Sequence, residues 1–276
     1  MLCDYHVHSY YSDDSTYPME QVVIDAIRMG MEELCFTDHV DYGIKIDPAG
    51  KSAEELKGKT LNINYPAYVT EIAELQKKYS GQIVIRQGME FGVQMHTIPQ
   101  FEKLYHTYEY DFDFIILSCH QVDNLEFWNQ EFQKGRTQAE YNMRYYQEIR
   151  NVIRTYKNYS VLGHLDLINR YDMSGVYPFE YTIDIITDIL MQLILDGKGI
   201  EVNTSSFRYG LSDLTPSWDI LLLYRELGGE IITIGSDSHE PDHLGEHIGE
   251  VMTQLKDMGF RYYCTYEKMQ PIFHKL

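Results

Sequence analysis

Seven short apolar runs punctuate the chain: Leu2–His6, Leu34–Thr37, Ile83–Gln87, Phe114–Ser118, Ser160–Gly163, Gly199–Asn203 and Ile231–Gly235. Most are apolar throughout and do not alternate, which is the pattern of strands covered on both faces. Between them, apolar positions recur with helical spacing over Pro18–Met29, stopped by Gly30, over Pro66–Tyr79, over Ile98–Tyr108 and over the long Gln138–Tyr156. The same spacing marks Ile183–Leu195, Ser217–Leu227 ahead of two glycines, and Glu246–Met258 ahead of Gly259. Strands alternating with helices imply parallel pairing through right-handed crossovers, in either an open doubly wound sheet or a closed barrel. Neither GxGxxG nor GxxxxGKS/T occurs, so nothing favours the nucleotide-binding open sheet. The stretches Val40–Asn64 and Gln121–Arg136 read as long loops, of the kind that shape access to a barrel mouth.

Composition narrows this picture. The 276 residues, 44% hydrophobic and 24% charged, fit one α/β domain spanning 1–276 with a sizeable core. A formal net charge of −19 opposes a polyanionic partner, so nucleic acid is not expected, and a small anionic substrate needs a locally positive site. No apolar run approaches the length of a membrane span, and MLCDYHVHSYYSDD lacks the basic stretch and apolar core of an export signal; a cytoplasmic location is the expectation. Cys3, Cys35, Cys119 and Cys264 have no CxxC spacing and read as reduced, packed thiols.

The candidate chemistry sits where the apolar runs end. The first run passes into DYHVHS, and in an extended chain His6 and His8 share a face, so two imidazoles can meet one metal ion. The second runs into TDH (Asp38, His39), the third into GMEFG with Glu90 just beyond the strand, and the fourth into SCH (His120). The fifth ends in GHLD (His164, Asp166) and the seventh in GSDSH (Asp237, His239). One histidine at a strand end is ordinarily a hydrogen-bonded structural group. Here six of the eleven histidines fall at carboxyl ends of strands, where α/β barrels converge their functional groups. Imidazoles mixed with carboxylates suit zinc, iron or manganese better than magnesium or calcium. With Glu90, Asp237 and an aspartate of SDDS, the donors suffice for two or three such ions. His243 and His247 lie among acidic residues and read as solvated, and His96, His106 and His274 have no partner pattern. The 24 tyrosines, Tyr10, Tyr11, Tyr145 and Tyr146 among them, read as amphipathic packing.

HxH, TDH, GxE, SxH, GH and SDSH, in that order from Asp4 to His239, resemble the polymerase and histidinol phosphatase (PHP) family. The absence of fused polymerase segments and the run EVNTSSFR are most similar to its stand-alone histidinol-phosphate phosphatases. The resemblance implies a distorted (β/α)7 TIM-like barrel holding three metal ions. It implies His6, His8, Glu90 and Asp237 around the first ion, Glu90, His120 and His164 around the second, and His39, His239 and a carboxylate around the third. Relatives place that carboxylate five or six residues after the second histidine of HxH; Asp13 and Asp14 occupy both places, and Asp14 is preferred. It further implies phosphate-gripping arginines, with Arg208 in NTxxxR and Arg170 in GHLDLINRY as candidates. Asp4, Asp38 and Asp166 adjoin candidate ligands and could orient imidazoles.

The implied activity is hydrolysis of L-histidinol phosphate in histidine synthesis. Metal ions and Arg208 would neutralise the phosphate, and Glu90, Asp237 and His239 form the candidate catalytic set, with Asp237 or His239 protonating the leaving oxygen. The alternatives are a PHP enzyme acting on another small phosphoester, or an amidohydrolase-type metal barrel, which also opens with HxH. Against the latter stand SxH at strand four and the lack of a lysine placed there for carbamylation.

Overall fold

In the computed structural model, which describes residues 1–276, the apolar runs form seven parallel strands. They are β1 (Cys3–Val7), β2 (Glu33–Phe36), β3 (Val84–Gly92), β4 (Phe114–Ser118), β5 (Val161–Leu162), β6 (Gly199–Asn203) and β7 (Ile232–Gly235), hydrogen-bonded in that order. The outer strands β1 and β7 meet through a bridge between Val7 and Ser238, in which His8 N donates to Ser238 O at 2.8 Å and Ser238 N to His6 O at 3.2 Å. Asp4 completes the seam: its buried carboxylate accepts from Ser236 N at 2.9 Å, Ser236 Oγ at 2.5 Å and Gly245 N at 3.0 Å. The result is a distorted (β/α)7 barrel, closed by a few backbone bonds and one carboxylate. Its place beside HxH suggests an imidazole partner for Asp4, but no ring contacts it; the carboxylate holds the barrel shut.

The helices are α1 (Met19–Arg28), the short α2 (Ala53–Leu56), α3 (Tyr65–Lys78), α4 (Ile98–Tyr108), α5 (Gln138–Thr155), α6 (Ile183–Leu195), α7 (Trp218–Glu226) and α8 (Ile248–Asp257). α5 begins at Thr137, whose side chain accepts from Glu140 N while Glu140 reaches back to Thr137 N, so two otherwise unpaired helix-end amides are satisfied. Every helix except the exposed α2 buries an apolar stripe, and with both faces covered the strands are buried almost throughout. No helix is long and apolar enough to cross a membrane, and all four cysteines are free and buried.

Three departures from the sequence expectations matter. β3 does not stop at Gln87. It pairs with β2 through Gln87, then with a short strand at His39–Val40 on one side and with β4 on the other, through Gly92. Glu90 is therefore held inside a strand by ladders on both sides. The loop Gln121–Arg136 contains a small hairpin, Gln121–Val122 against Leu125–Glu126, turning at Asp123 and Asn124 with φ of 56° and 60°.

The third departure is a carboxy-terminal hairpin, β8 (Tyr262–Glu267) and β9 (Gln270–Lys275), which covers the end of the barrel where the strands begin. Tyr5 donates to Glu33 at 2.5 Å and accepts from Tyr266 N at 2.7 Å, and Met269 N donates to Asp113 O at 2.9 Å. The rings of Tyr5 and Tyr266 each lie 5.0 Å from that of Phe114, forming an aromatic floor. Truncating a buried aromatic side chain leaves a cavity and costs about 3–5 kcal/mol. Tyr266→Ala should lower the unfolding free energy by that amount in denaturant titration, and a loss below about 1 kcal/mol would show that the floor is not a structural element.

Candidate metal centre

At the opposite end of the barrel, the six histidines singled out by motif gather around Glu90. Glu90 Oε1 lies 3.0 Å from His120 Nε2 and 2.8 Å from His164 Nε2. Its Oε2 lies 3.1 Å from His6 Nε2, 3.4 Å from His8 Nε2 and 3.1 Å from His39 Nδ1. Asp237, with a left-handed φ of 55°, turns its Oδ1 to within 3.6 Å of His6 Nε2 and 3.5 Å of His8 Nε2. Asp14 Oδ2 stands 3.6 Å from His39 Nε2 and 3.3 Å from His239 Nε2, whereas Asp13 faces away and pairs with Lys45 at 2.5 Å. The structure thus brings together all nine residues named as candidate ligands, and of the two adjacent aspartates it is Asp14 that joins them.

Whether these groups fit metal ions can be judged from their unused atoms. His6 Nε2, His8 Nε2, His39 Nδ1, His239 Nε2 and Glu90 Oε2 are all buried without a hydrogen-bond partner. One such atom costs roughly 1–3 kcal/mol, so five directed at one another make sense as donors to shared cations. Donor atoms of His6, His8 and Glu90 lie within 4.8 Å of one another, as do those of Glu90, His120 and His164, and those of His8, His39 and His239. The set fits ions that accept imidazole and carboxylate together.

The far sides of the rings are held by Glu201, Asp41 and Ser12, which motif reading missed, and through Ser12 by Asp38, which it named. His6 Nδ1 pairs with Glu201, whose other oxygen accepts from His164 N at 2.9 Å. His120 Nδ1 lies 2.7 Å from Asp41 Oδ1. His8 Nδ1 meets Ser12 Oγ at 3.0 Å, and Ser12 in turn donates to Asp38 Oδ1 at 2.7 Å. Such partners fix tautomer and ring orientation. Glycines make room for them: a Cβ on Gly92 would collide with Asp41, and one on Gly235 with His6 and Glu201. Asp38 therefore acts on His8 through a serine. Asp166 contacts no imidazole; it accepts from Ser217 N at 3.0 Å. A carboxylate inside the apolar run GIEVN was a usable signal for Glu201, whereas Asp41 carries no motif of its own.

Charge is balanced within the cluster. Burial alone would depress the imidazoles, yet Glu201, Glu90 and Asp237 raise His6, Glu90 and Asp14 raise His39, and Glu90 with Asp41 raises His120 to about 9. Burial likewise opposes ionisation of Glu90, but His6, His120 and His39 hold it well below the usual carboxylate range. His8 runs the other way, lowered by burial and by His239 and His39 beside it. Burial lifts Asp38 to about 6 despite its serine partners.

The cluster opens into a cavity of about 590 Å³ whose walls include Arg170, Arg208, Tyr171 and Tyr209. The side chain of Arg170 is 6% exposed, stacks 4.0 Å over the Tyr209 ring, donates to Ser205 Oγ at 2.5 Å and to Asp237 Oδ2 at 3.5 Å, and leaves its Nε buried and unpaired. Arg208 is more committed, to Glu246 at 2.8 Å and to the carbonyls of Ser236 and Asp237 at 2.6 and 2.9 Å. His247 pairs with Glu250 on the surface as its acidic setting suggests, but His243 belongs to the cavity wall.

A parallel barrel that converges imidazoles and carboxylates at its strand ends, beside a buried arginine, is the architecture of a metal-centred hydrolase barrel. The PHP domain model matches residues 4–205, and the chain belongs to the PHP family. It is 30% identical over 273 residues to a histidinol-phosphatase of Lactococcus lactis, an alignment covering 97% of this chain and 95% of the relative. The fold superposes on a crystal structure of histidinol phosphate phosphatase from Lactococcus lactis, complexed with zinc, L-histidinol and phosphate, with TM-score 0.82, 30% identity and 98% of each chain covered. A solved chain from Listeria monocytogenes, 19% identical, shares the fold at TM-score 0.75 over 90% of this chain and 99% of its own.

Partners behind a ligand typically contribute about 10–100-fold to metal affinity. Glu201→Gln and Asp41→Asn should each weaken metal retention by that factor in chelator competition, and unchanged retention would remove these carboxylates from the account. Protons compete with cations for imidazole. Because His120 is raised to about 9, competition begins near that pH and grows as pH falls. Metal affinity, corrected for the chelator's own protonation, should decline steadily from about pH 9 to pH 6; an affinity that rises as pH falls would contradict the assignment.

Proposed function

We propose that the protein is a metal-dependent phosphomonoesterase, a histidinol-phosphatase that converts L-histidinol phosphate and water to L-histidinol and phosphate in histidine synthesis. The observation that carries this reading is Glu90, whose two oxygens face two separate sets of imidazoles, next to a buried arginine with an unpaired Nε. Family membership and the likeness to a Lactococcus lactis enzyme complexed with zinc, L-histidinol and phosphate support the substrate.

In this reading His6, His8, Glu90 and Asp237 would hold one ion, Glu90, His120 and His164 a second, and Asp14, His39 and His239 a third, each zinc, iron or manganese. Ions so placed supply Lewis acidity and make water a nucleophile near neutral pH. The chain's own residues do the rest. Arg170, kept in place by Tyr209 and Ser205, offers a charged donor to a non-bridging phosphate oxygen, and Arg208 fixes the carbonyls of Ser236 and Asp237, so that Asp237 keeps its left-handed turn. Glu90 sets the spacing between the first two ligand groups. Asp237 and His239 follow β7 on the cavity wall; His6, His8 and Arg170 hold Asp237 ionised, so of the two it is His239 that can pass a proton to the expelled oxygen. Lys45, the one lysine on that wall, is bound to Asp13 and Asp41, which leaves no free lysine for the carbamate ligand of an amidohydrolase-type site.

The test is a panel of phosphomonoesters assayed with metal-loaded and chelated protein. L-histidinol phosphate should be the preferred ester, with turnover lost on stringent chelation and restored by zinc, iron or manganese. Metal-independent turnover would overturn the mechanism, and a strong preference for a nucleotide or sugar phosphate would overturn the substrate.

A further inference from the structure

Two residues of the loop Gln121–Arg136, Glu126 and Trp128, line the same cavity as the ligand cluster. The loop is firmly held on either side of them. Before them, Asn124 N donates to Gln94 Oε1 at 2.8 Å and Gln94 Nε2 donates back to Asn124 Oδ1 at 2.9 Å, clamping the hairpin turn. After them, Phe132 is buried against Phe127 with ring centres 5.0 Å apart, and Phe127 meets Tyr145 at 5.4 Å. The side-chain amides of Gln130 and Gln133 both donate to Tyr171 O, at 2.8 and 3.2 Å.

Between these anchors Trp128 is 65% exposed. A loop that buries both of its phenylalanines and still leaves its tryptophan open at a cavity presents that ring as a contact surface. Glu126, two residues earlier and half-buried, meets only Asn129 Nδ2, at 3.3 Å, and forms no ion pair. The other acids of this wall differ: Asp13 and Asp41 are neutralised by Lys45, Asp14, Glu90 and Asp237 face imidazoles, and Glu240 is exposed. One cavity thus offers an arginine for an anion and, on a rigid loop, an open indole beside an unmatched carboxylate.

We infer that Trp128 and Glu126 select the alcohol portion of the substrate, the indole packing against a planar ring and the carboxylate pairing with a cationic nitrogen. This rests on the phosphomonoesterase reading and assigns, within it, the residues that recognise the alcohol portion of an ester carrying a planar ring and a positively charged nitrogen. A cation held over an indole and matched by a carboxylate is attracted by both.

The experiment compares kcat/KM for L-histidinol phosphate with that for glycerol 3-phosphate, which has neither ring nor cation, using the metal-loaded full chain. In Trp128→Ala and in Glu126→Gln the ratio of the two should fall about tenfold, chiefly through KM for the histidinol ester. A ratio that stays put in both variants overturns the inference. Trp128 and Trp218 are the only tryptophans, so L-histidinol titrated into the metal-loaded protein provides a readout free of turnover. Emission should change saturably, and the change should vanish in Trp128→Phe; persistence in that variant, or no change at all, also overturns it. Should the unsubstituted protein hydrolyse neither ester, the phosphatase reading falls, and the emission titration alone decides the role of the loop.

Discussion

A carboxylate with no exposure to water persists only where opposite charge or donors meet it, and Glu90 is such a group at the centre of this barrel. One oxygen faces His120 and His164 and also accepts from Ser118 Oγ at 2.7 Å; the other faces His6, His8 and His39. Much of the fold can be understood as what places this group. β3 runs long so that a ladder on each side fixes the backbone at Glu90. The seam between β1 and β7, fastened by Asp4, sets His6 and His8 against Asp237.

Around that centre the support is layered. Glu201, Asp41 and the Ser12–Asp38 pair occupy the outward nitrogens of three rings, which leaves the inward nitrogens to face Glu90. Lys45 bridges Asp13 and Asp41, tying the segment that carries Asp14 to the one that steadies His120. Tyr10 and Tyr11 both end on Glu71 of α3, which holds the same segment from its outer side. Loss of any of these contacts would loosen candidate ligands without removing one, so defects in metal retention are the expected signature of changes well away from the cavity.

The barrel and the convergence of the candidate donors were largely legible because both leave local signatures. Strands buried on both faces read as apolar runs, and groups that must converge at strand ends appear directly after those runs. What escaped depends on contacts distant in sequence. Glu201 and His6 are 195 residues apart, and Asp41 and His120 are 79 apart; the run GIEVN marks Glu201 as unusual but names no partner, and nothing near Asp41 marks it at all. The extension of β3 past Gln87 depends on neighbours at His39–Val40 and in β4, not on its own residues. The carboxy-terminal hairpin was hidden by its turn: Lys268 and Met269 take φ of 48° and 63°, where Asn-Gly or Asp-Gly is the usual cue. Asp4 and Asp166 show the converse error, in which adjacency to a histidine motif was mistaken for contact with the ring.

On the proposed reading, Glu90 joins two cation sites. Anomalous diffraction from crystals of the zinc-loaded protein tests it most directly. One peak is expected between Glu90 Oε2 and the His6, His8 and Asp237 donors, and another between Glu90 Oε1 and the His120 and His164 donors. Zinc bound only away from Glu90, or a single peak that leaves one of its oxygens without an ion, would contradict it.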